Sequence, residues 1–140
     1  MTMLTQVLGA FVATIAFSIV IGVPKKFIVN TGAVGGFGWF IYLLFQNIGY
    51  GVVLCYFISS IMVALLSHSF ARIRKAPVTV FLIPGIIPLV PGISVYRTVY
   101  NIIINETGRS SYYLAQTLQI AGVIAIAIFI MDSIFRVFQK

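Results

Sequence analysis

The chain has 140 residues and a formal net charge of +7; 61% of its residues are hydrophobic and only 8% are charged. A soluble domain carries about 25% charged residues, so this composition excludes one and indicates an integral membrane protein. The length suits a single transmembrane domain over residues 1–140. Nucleic-acid binding is not indicated, because the basic residues separate the apolar segments instead of lining one soluble face.

Five apolar segments are long enough to cross a bilayer, which takes about 20 residues of helix. In chain order they cover residues 3–23, 27–46, 49–71, 76–105 and 113–138, and the fourth is interrupted over 84–92. We therefore expect an all-α membrane protein with about five transmembrane helices. The first segment has no basic residue before its apolar core, which favours a retained span over a secretory signal.

The basic residues predict the orientation of the chain. They are Lys25 and Lys26 after the first span, Arg72, Arg74 and Lys75 after the third, and Arg136 and Lys140 at the end of the fifth. With five spans, all three clusters fall on one side of the membrane, which the positive-inside rule assigns to the cytoplasm. We expect the N-terminus outside and the C-terminus inside.

Small residues recur at four-residue spacing on the first two spans. They are Ala10, Thr14, Ser18 and Gly22 on the first, and Gly32 and Gly36 on the second. Small side chains allow helix backbones to approach closely in lipid, so the pattern indicates helix packing. A less favoured alternative is that the glycines leave room for a substrate.

The fourth span contains a run of helix-breaking residues. Three prolines and two glycines fall within nine positions: Pro84, Gly85, Pro88, Pro91 and Gly92. Proline lacks an amide proton and clashes with the preceding turn, so a continuous helix is excluded here. Unwound backbone is tolerated in a bilayer only where protein or a water-filled cavity satisfies it, and discontinuous helices hold the substrates of secondary transporters. Transport is therefore the leading hypothesis.

A polar stripe follows the break. Its members are Ser94, Arg97, Thr98, Asn101 and Asn105, which share one face of a helix. The helix end at 92–94 offers free amides and a positive dipole to a carboxylate, and Arg97 offers a charge-assisted contact. Carbonyl groups freed by the prolines can accept an ammonium group or a coupling cation. The alternative for Arg97 is that it extends to the outer surface or pairs with Asn101 and a partner helix.

These features give a predicted substrate-binding set. It consists of Pro84, Gly85, Pro88, Pro91, Gly92, Ser94, Arg97 and Asn101. Asp132 and Arg136 are four apart on the last span and are interpreted as a structural ion pair, with proton coupling as the alternative. His68 is predicted at the membrane interface rather than in a proton relay. With two acidic residues and one histidine, we expect no enzyme, no cofactor and no metal.

Two segments resemble a known family. They are the run from Pro77 to Gly92, followed by Tyr96, and the glycine-rich stretch from Gly32 to Trp39 after Pro24. Together they resemble the threonine/serine exporter family, and within it the small, YjjB-like subunit that corresponds to the C-terminal half of the full-length exporter. The resemblance covers essentially the whole chain. Its proline motif supplies Pro84, Gly85, Pro88, Pro91 and Gly92, whereas Arg97 comes from the polar stripe alone.

The resemblance implies export of threonine and serine across the bacterial inner membrane, together with a larger subunit homologous to the N-terminal half. It also leaves open a subunit that exports dicarboxylates such as succinate. Two other readings remain: a scaffold subunit whose partner holds the whole site, and a homo-oligomeric channel lined by the polar stripe.

Overall fold

The computed structural model describes residues 2–139, and over that range it contains six α-helices, two 3-10 turns and no strand. The helices are α1 Met3–Val20, α2 Ile28–Ile48, α3 Val52–Arg74, α4 Thr79–Ile86, α5 Gly92–Ile103 and α6 Thr107–Phe138. The 3-10 turns are Lys25–Phe27, before α2, and Ile87–Leu89, between α4 and α5.

Four helical segments are long and apolar enough to cross a membrane: α1, the segment Lys25–Ile48 that contains α2, α3 and α6. A fifth span forms if Thr79–Leu89 and Gly92–Ile103 are taken together, and these two segments meet at a bend of 48°. The predicted fold class, an all-α membrane protein with about five spans and a broken fourth one, is confirmed. Helix α6 begins at Thr107 and is therefore longer than the span predicted from residue 113.

Helices α2, α3 and α4 form the centre of the bundle. Helix α2 packs against α1, α3 and α4, while α3 also contacts α4 and α6. The core side chains Val34, Val63, Phe81 and Leu89 are fully buried between these elements. Helix α5 lies outside this core and packs mainly against α6.

Small residues bring α1 and α2 together, as their spacing predicts. Ala10, Thr14 and Ser18 are all buried, and the hydroxyls of Ser18 and Thr31 lie 2.7 Å apart across the two helices. A Cβ at Gly35 would lie 2.8 Å from the Cβ of Thr14, so only glycine permits this approach. Gly22 does not belong to the packed face, because α1 ends at Val20 and Gly22 adopts a φ of +81°.

Hydrogen bonds hold members of the three basic clusters at one end of the bundle, which we call the basic end. The Arg74 guanidinium donates to the Lys26 carbonyl over 3.4 Å and to Asn30 Oδ1 over 3.1 Å. The Arg72 guanidinium donates to the carbonyl of Phe135, one residue before Arg136, over 3.4 Å. Lys140, also assigned to the third cluster, lies outside the described residues.

Candidate functional site

The break in the fourth span arises from its prolines. Pro84 lies inside α4 and has no amide with which to bond the carbonyl four residues earlier. After the turn Ile87–Leu89, Val90 is extended with φ −60° and ψ 132°, and Pro91 leaves the helical region with ψ 55°. The chain direction therefore changes by 48° before α5 begins at Gly92.

One side of the break is packed against the core. Pro84 is fully buried, and a Cβ at Gly85 would lie 2.5 Å from Cγ1 of Val34 and 3.4 Å from Cγ1 of Val63. Pro91 is also buried. Gly85 therefore packs closely against α2 and α3, and the two buried prolines lie on the same packed side of the motif.

The other side of the break is open. Pro88 lines a shallow, mostly apolar groove of about 370 Å³, which is open to the outside and whose other walls are Thr5, Gln6, Gly9, Ala10 and Ala13 of α1 and Trp39 of α2. Gly92 is exposed and has no neighbouring atom within 4 Å of the position where a Cβ would lie. The structure thus divides the predicted motif between a packed side and an open side.

Three members of the polar stripe face α6. Ser94, Thr98 and Asn101 are buried at 8%, 7% and 5% exposure. The Ser94 hydroxyl donates to Gln116 Oε1 over 3.2 Å, and the Ser110 hydroxyl donates to the Thr98 carbonyl over 3.2 Å. These bonds join α5 to the first half of α6.

Arg97 and Asn105 lie apart from those three residues. Arg97 is exposed, and its guanidinium carbon lies 5.4 Å from the ring centre of Tyr113, a cation–π distance. The Asn101 amide donates over 2.6 Å to the backbone carbonyl of Arg97, not to its side chain. Asn105 follows the end of α5 and has a φ of 61°, so it leaves the helical face altogether.

A larger cavity, which we call the outer cavity, lies between the first halves of α3 and α6 and has a volume of about 730 Å³. Its polar side chains include Gln116 and Gln119, and Val53 and Phe57 of α3 form part of the opposite wall. Because Gln116 also bonds to Ser94, this cavity adjoins the polar stripe. The sequence analysis missed Gln116, although two amides one turn apart in an otherwise apolar helix are a usable signal.

The sequence matches a known protein family over most of its length. Residues 6–134 match the family model described as "Threonine/Serine exporter, ThrE". The chain belongs to this family. A relative from Mycobacterium tuberculosis, described as "Probable threonine/serine exporter", is 27% identical over 104 residues, which cover 74% of this chain and 20% of that protein. The chain thus spans about one fifth of that relative's length. No solved structure matches the present chain.

Membership of the threonine/serine exporter family, together with four to five helices long and apolar enough to cross a bilayer, supports a multi-pass membrane protein. Among the described residues 2–139, no group of three or more His, Cys, Asp or Glu side chains is placed to hold a metal ion. The fold does bring three titratable residues together at the interface of α3 and α6. Asp132 bonds to Arg136 over 2.8 Å, and His68 is buried at the basic end with Nε2 at 3.9 Å from Asp132 Oδ1.

Proposed function

We propose that this chain is a membrane subunit of a secondary transporter that exports small carboxylate-bearing metabolites, with threonine and serine as its first candidate substrates. The observation that carries the proposal is the unwound segment between α4 and α5, packed on one side and bordered by an open groove on the other. Irregular backbone inside a bilayer is stable only next to protein or a polar cavity, and transporters use such segments as substrate sites.

The substrate carboxylate is assigned to the start of α5. The first amides of a helix have no intrahelical acceptor, and the space around Gly92 is open. The positive end of the helix dipole adds about 0.3–1 kcal/mol for an anion at this position. Arg97, just over one turn further along, supplies a positive charge that the carboxylate would meet next. Ser94 bonds α5 to α6, whereas Asn101 bonds within α5 to the Arg97 carbonyl.

We further propose that a larger subunit completes the transporter. Helix α5 leaves several large side chains uncovered, among them Ile93, Tyr96 and Ile103 at 70%, 67% and 72% exposure. A relative five times longer than the matched region is consistent with additional protein around this unit. The three basic clusters support an orientation with the N-terminus outside and the C-terminus in the cytoplasm of a bacterial inner membrane.

A scaffold role is the second candidate, because most of the predicted site residues make packing contacts. Pro84 and Gly85 fill the space between α4 and its neighbours, and Ser94 is bonded to α6. In that case the partner subunit holds the substrate, and substitutions at the open side of the break lower the yield of the complex without changing which substrates it exports.

The test compares two double variants in vesicles that contain both subunits and are loaded with labelled threonine or succinate. Gly92→Leu with Arg97→Ala changes the open side of the break. Gly122→Leu with Arg109→Ala is the matched control, because a Cβ at Gly122 meets nothing within 4 Å and Arg109 is exposed. We expect at least a tenfold loss of efflux in the first variant and less than a twofold loss in the control.

Efflux like that of the wild type from the Gly92/Arg97 variant would reject this placement of the site. Efflux of succinate but not threonine from the wild type would instead identify a dicarboxylate exporter. A reduced yield of complex with unchanged selectivity would favour the scaffold role.

A further inference from the structure

His68 and Asp132 meet across the interface of α3 and α6. Nε2 of His68 lies 3.9 Å from Oδ1 of Asp132, which is longer than a hydrogen bond. His68 is only 5% exposed, and its ring stacks on Phe135 with a centroid distance of 4.4 Å and an interplanar angle of 8°. His68 is the single histidine of the sequence, and Asp132 is one of its two acidic residues.

Two arginines complete the charges around this pair. Nε of Arg136 donates to Oδ2 of Asp132 over 2.8 Å, which leaves Oδ1 directed toward His68. The guanidinium carbon of Arg72 lies 4.8 Å from the ring centre of Phe135. Helices α2 and α4, which also pack on α3, contribute no charged side chain, and Tyr42 is their single titratable residue.

A buried hydroxyl lies along the same interface between His68 and the outer cavity. Ser60 is fully buried, and its Oγ has no hydrogen-bond partner in the described protein. Phe57, Ser60, Ala64 and His68 are spaced by three or four residues and so share one face of α3. Phe57 lines the outer cavity and His68 contacts α6. A buried hydroxyl without a protein partner costs free energy unless a water molecule satisfies it, so Ser60 is the residue at which we look for a water between the two sites.

We propose that His68 and Asp132 form the proton-binding site of this chain, reached from the outer cavity along the α3–α6 interface past Ser60. The inference rests on the proposed transport function and assigns the site of its driving ion. Neutral His68 accepts a proton at Nε2, becomes a cation and can then donate to Oδ1 of Asp132. Release of the proton restores the neutral ring, so no other reactant is required.

The geometry links this proton to helix packing. When His68 is neutral, Asp132 is bonded to Arg136, within α6. When His68 carries the proton, Asp132 gains a second charged partner, on α3, so the ion pair within one helix extends across two helices. Protonation also adds a positive charge close to Arg72 and Arg136. Proton binding therefore changes how α3 and α6 are held together at the basic end, while α5 is bonded to the other end of α6.

The first experiment observes the proton directly. Because the chain has one histidine, the full-length protein labelled with ¹⁵N-histidine gives signals from a single imidazole in lipid bilayers, provided that any purification tag is removed. We expect the imidazole to take up and release a proton as the pH is varied, with a midpoint that falls by about one pH unit or more in Asp132→Asn, because the lost carboxylate favours the cation. Glu106→Gln, which changes the other carboxylate, is the matched control and leaves the midpoint unchanged.

An imidazole that stays neutral over the whole pH range in which the protein remains folded overturns the proposal, as does an unchanged midpoint in Asp132→Asn. This measurement does not depend on transport. If the complex exports neither threonine nor succinate, the proposed function is rejected, and the titration still shows whether His68 and Asp132 bind a proton.

The second experiment separates coupling from substrate binding in vesicles that contain both subunits. We expect His68→Gln and Asp132→Asn to lose at least tenfold of the transport driven by a pH gradient, while substrate counterflow without a gradient stays within about twofold of the wild type. Ser60→Ala is expected to reduce gradient-driven transport several-fold, and Glu106→Gln to change neither. The proposal is overturned if both His68→Gln and Asp132→Asn retain gradient-driven transport. It is also overturned if these variants lose substrate counterflow together with gradient-driven transport.

Discussion

The two halves of the broken span are held in different ways. Helix α4 lies between α2 and α3, with Phe81 fully buried and in contact with the rings of Phe27 and Phe70. Helix α5 packs mainly against α6 through a few polar contacts, and its apolar side chains face outward. The unwound segment therefore joins a fixed element to a more exposed one, which makes α5 the candidate for movement against the core.

The largest expected effect comes from the side chains that fix α4. Phe81→Ala should lower the free energy of unfolding by about 3–5 kcal/mol, because it leaves a cavity between α2, α3 and α4. Tyr96→Ala on α5 should cost less than about 0.5 kcal/mol, since Tyr96 is 67% exposed. Unfolding of both variants in lipid bicelles provides the measurement, and equal losses would show that the two halves are held equally firmly.

A smaller effect is expected from a single methyl group on each side of the break. Gly85→Ala should cost about 1–3 kcal/mol, because the new Cβ meets Val34 at 2.5 Å. Gly92→Ala adds the same group in open space and should change stability by less than about 0.5 kcal/mol. The same unfolding assay tests the pair, and a Gly92→Ala loss as large as that of Gly85→Ala would contradict the division into a packed side and an open side.

The smallest effect concerns the attachment of α5 to α6. Ser94→Ala removes the bond to Gln116 and should cost about 0.6 kcal/mol, the average for such interhelical bonds in a membrane protein. Ser111→Ala is the control, because that hydroxyl is exposed and bonds within α6 to the Thr107 carbonyl. A loss at Ser94 that exceeds the loss at Gly85 would mean that α5, rather than α4, is the firmly held half.

The break could be predicted from the sequence because its cause is local. Pro84, Pro88 and Pro91 lack amides wherever they stand, so helix interruption does not depend on the neighbouring elements. The close approach of α1 and α2 was likewise readable from the spacing of small residues such as Thr14 and Ser18. The helix count and the family follow from such local signals.

The parts that could not be predicted depend on tertiary contacts. His68 and Asp132 lie on different helices, and no periodicity indicates that they meet. Arg97 shares a broad helical face with Ser94, but α6 covers only a narrow strip, and the long side chain extends past its edge to Tyr113. Helix α6 begins before the apolar segment because Ser110 packs on α5, which hydropathy does not detect.

The unequal lengths of α3 and α6 have an energetic consequence for Arg97. The two helices run in the same direction, and the contact of His68 with Asp132 sets Val52, the first residue of α3, level with Gln116. The first nine residues of α6 therefore overhang α3 by about 13 Å. Tyr113, against which Arg97 rests, lies on this overhang. We expect Tyr113 to lie at the membrane interface, which tyrosine favours, and an arginine beside it there avoids the insertion penalty of about 2.5–3.5 kcal/mol that it would incur at the bilayer centre.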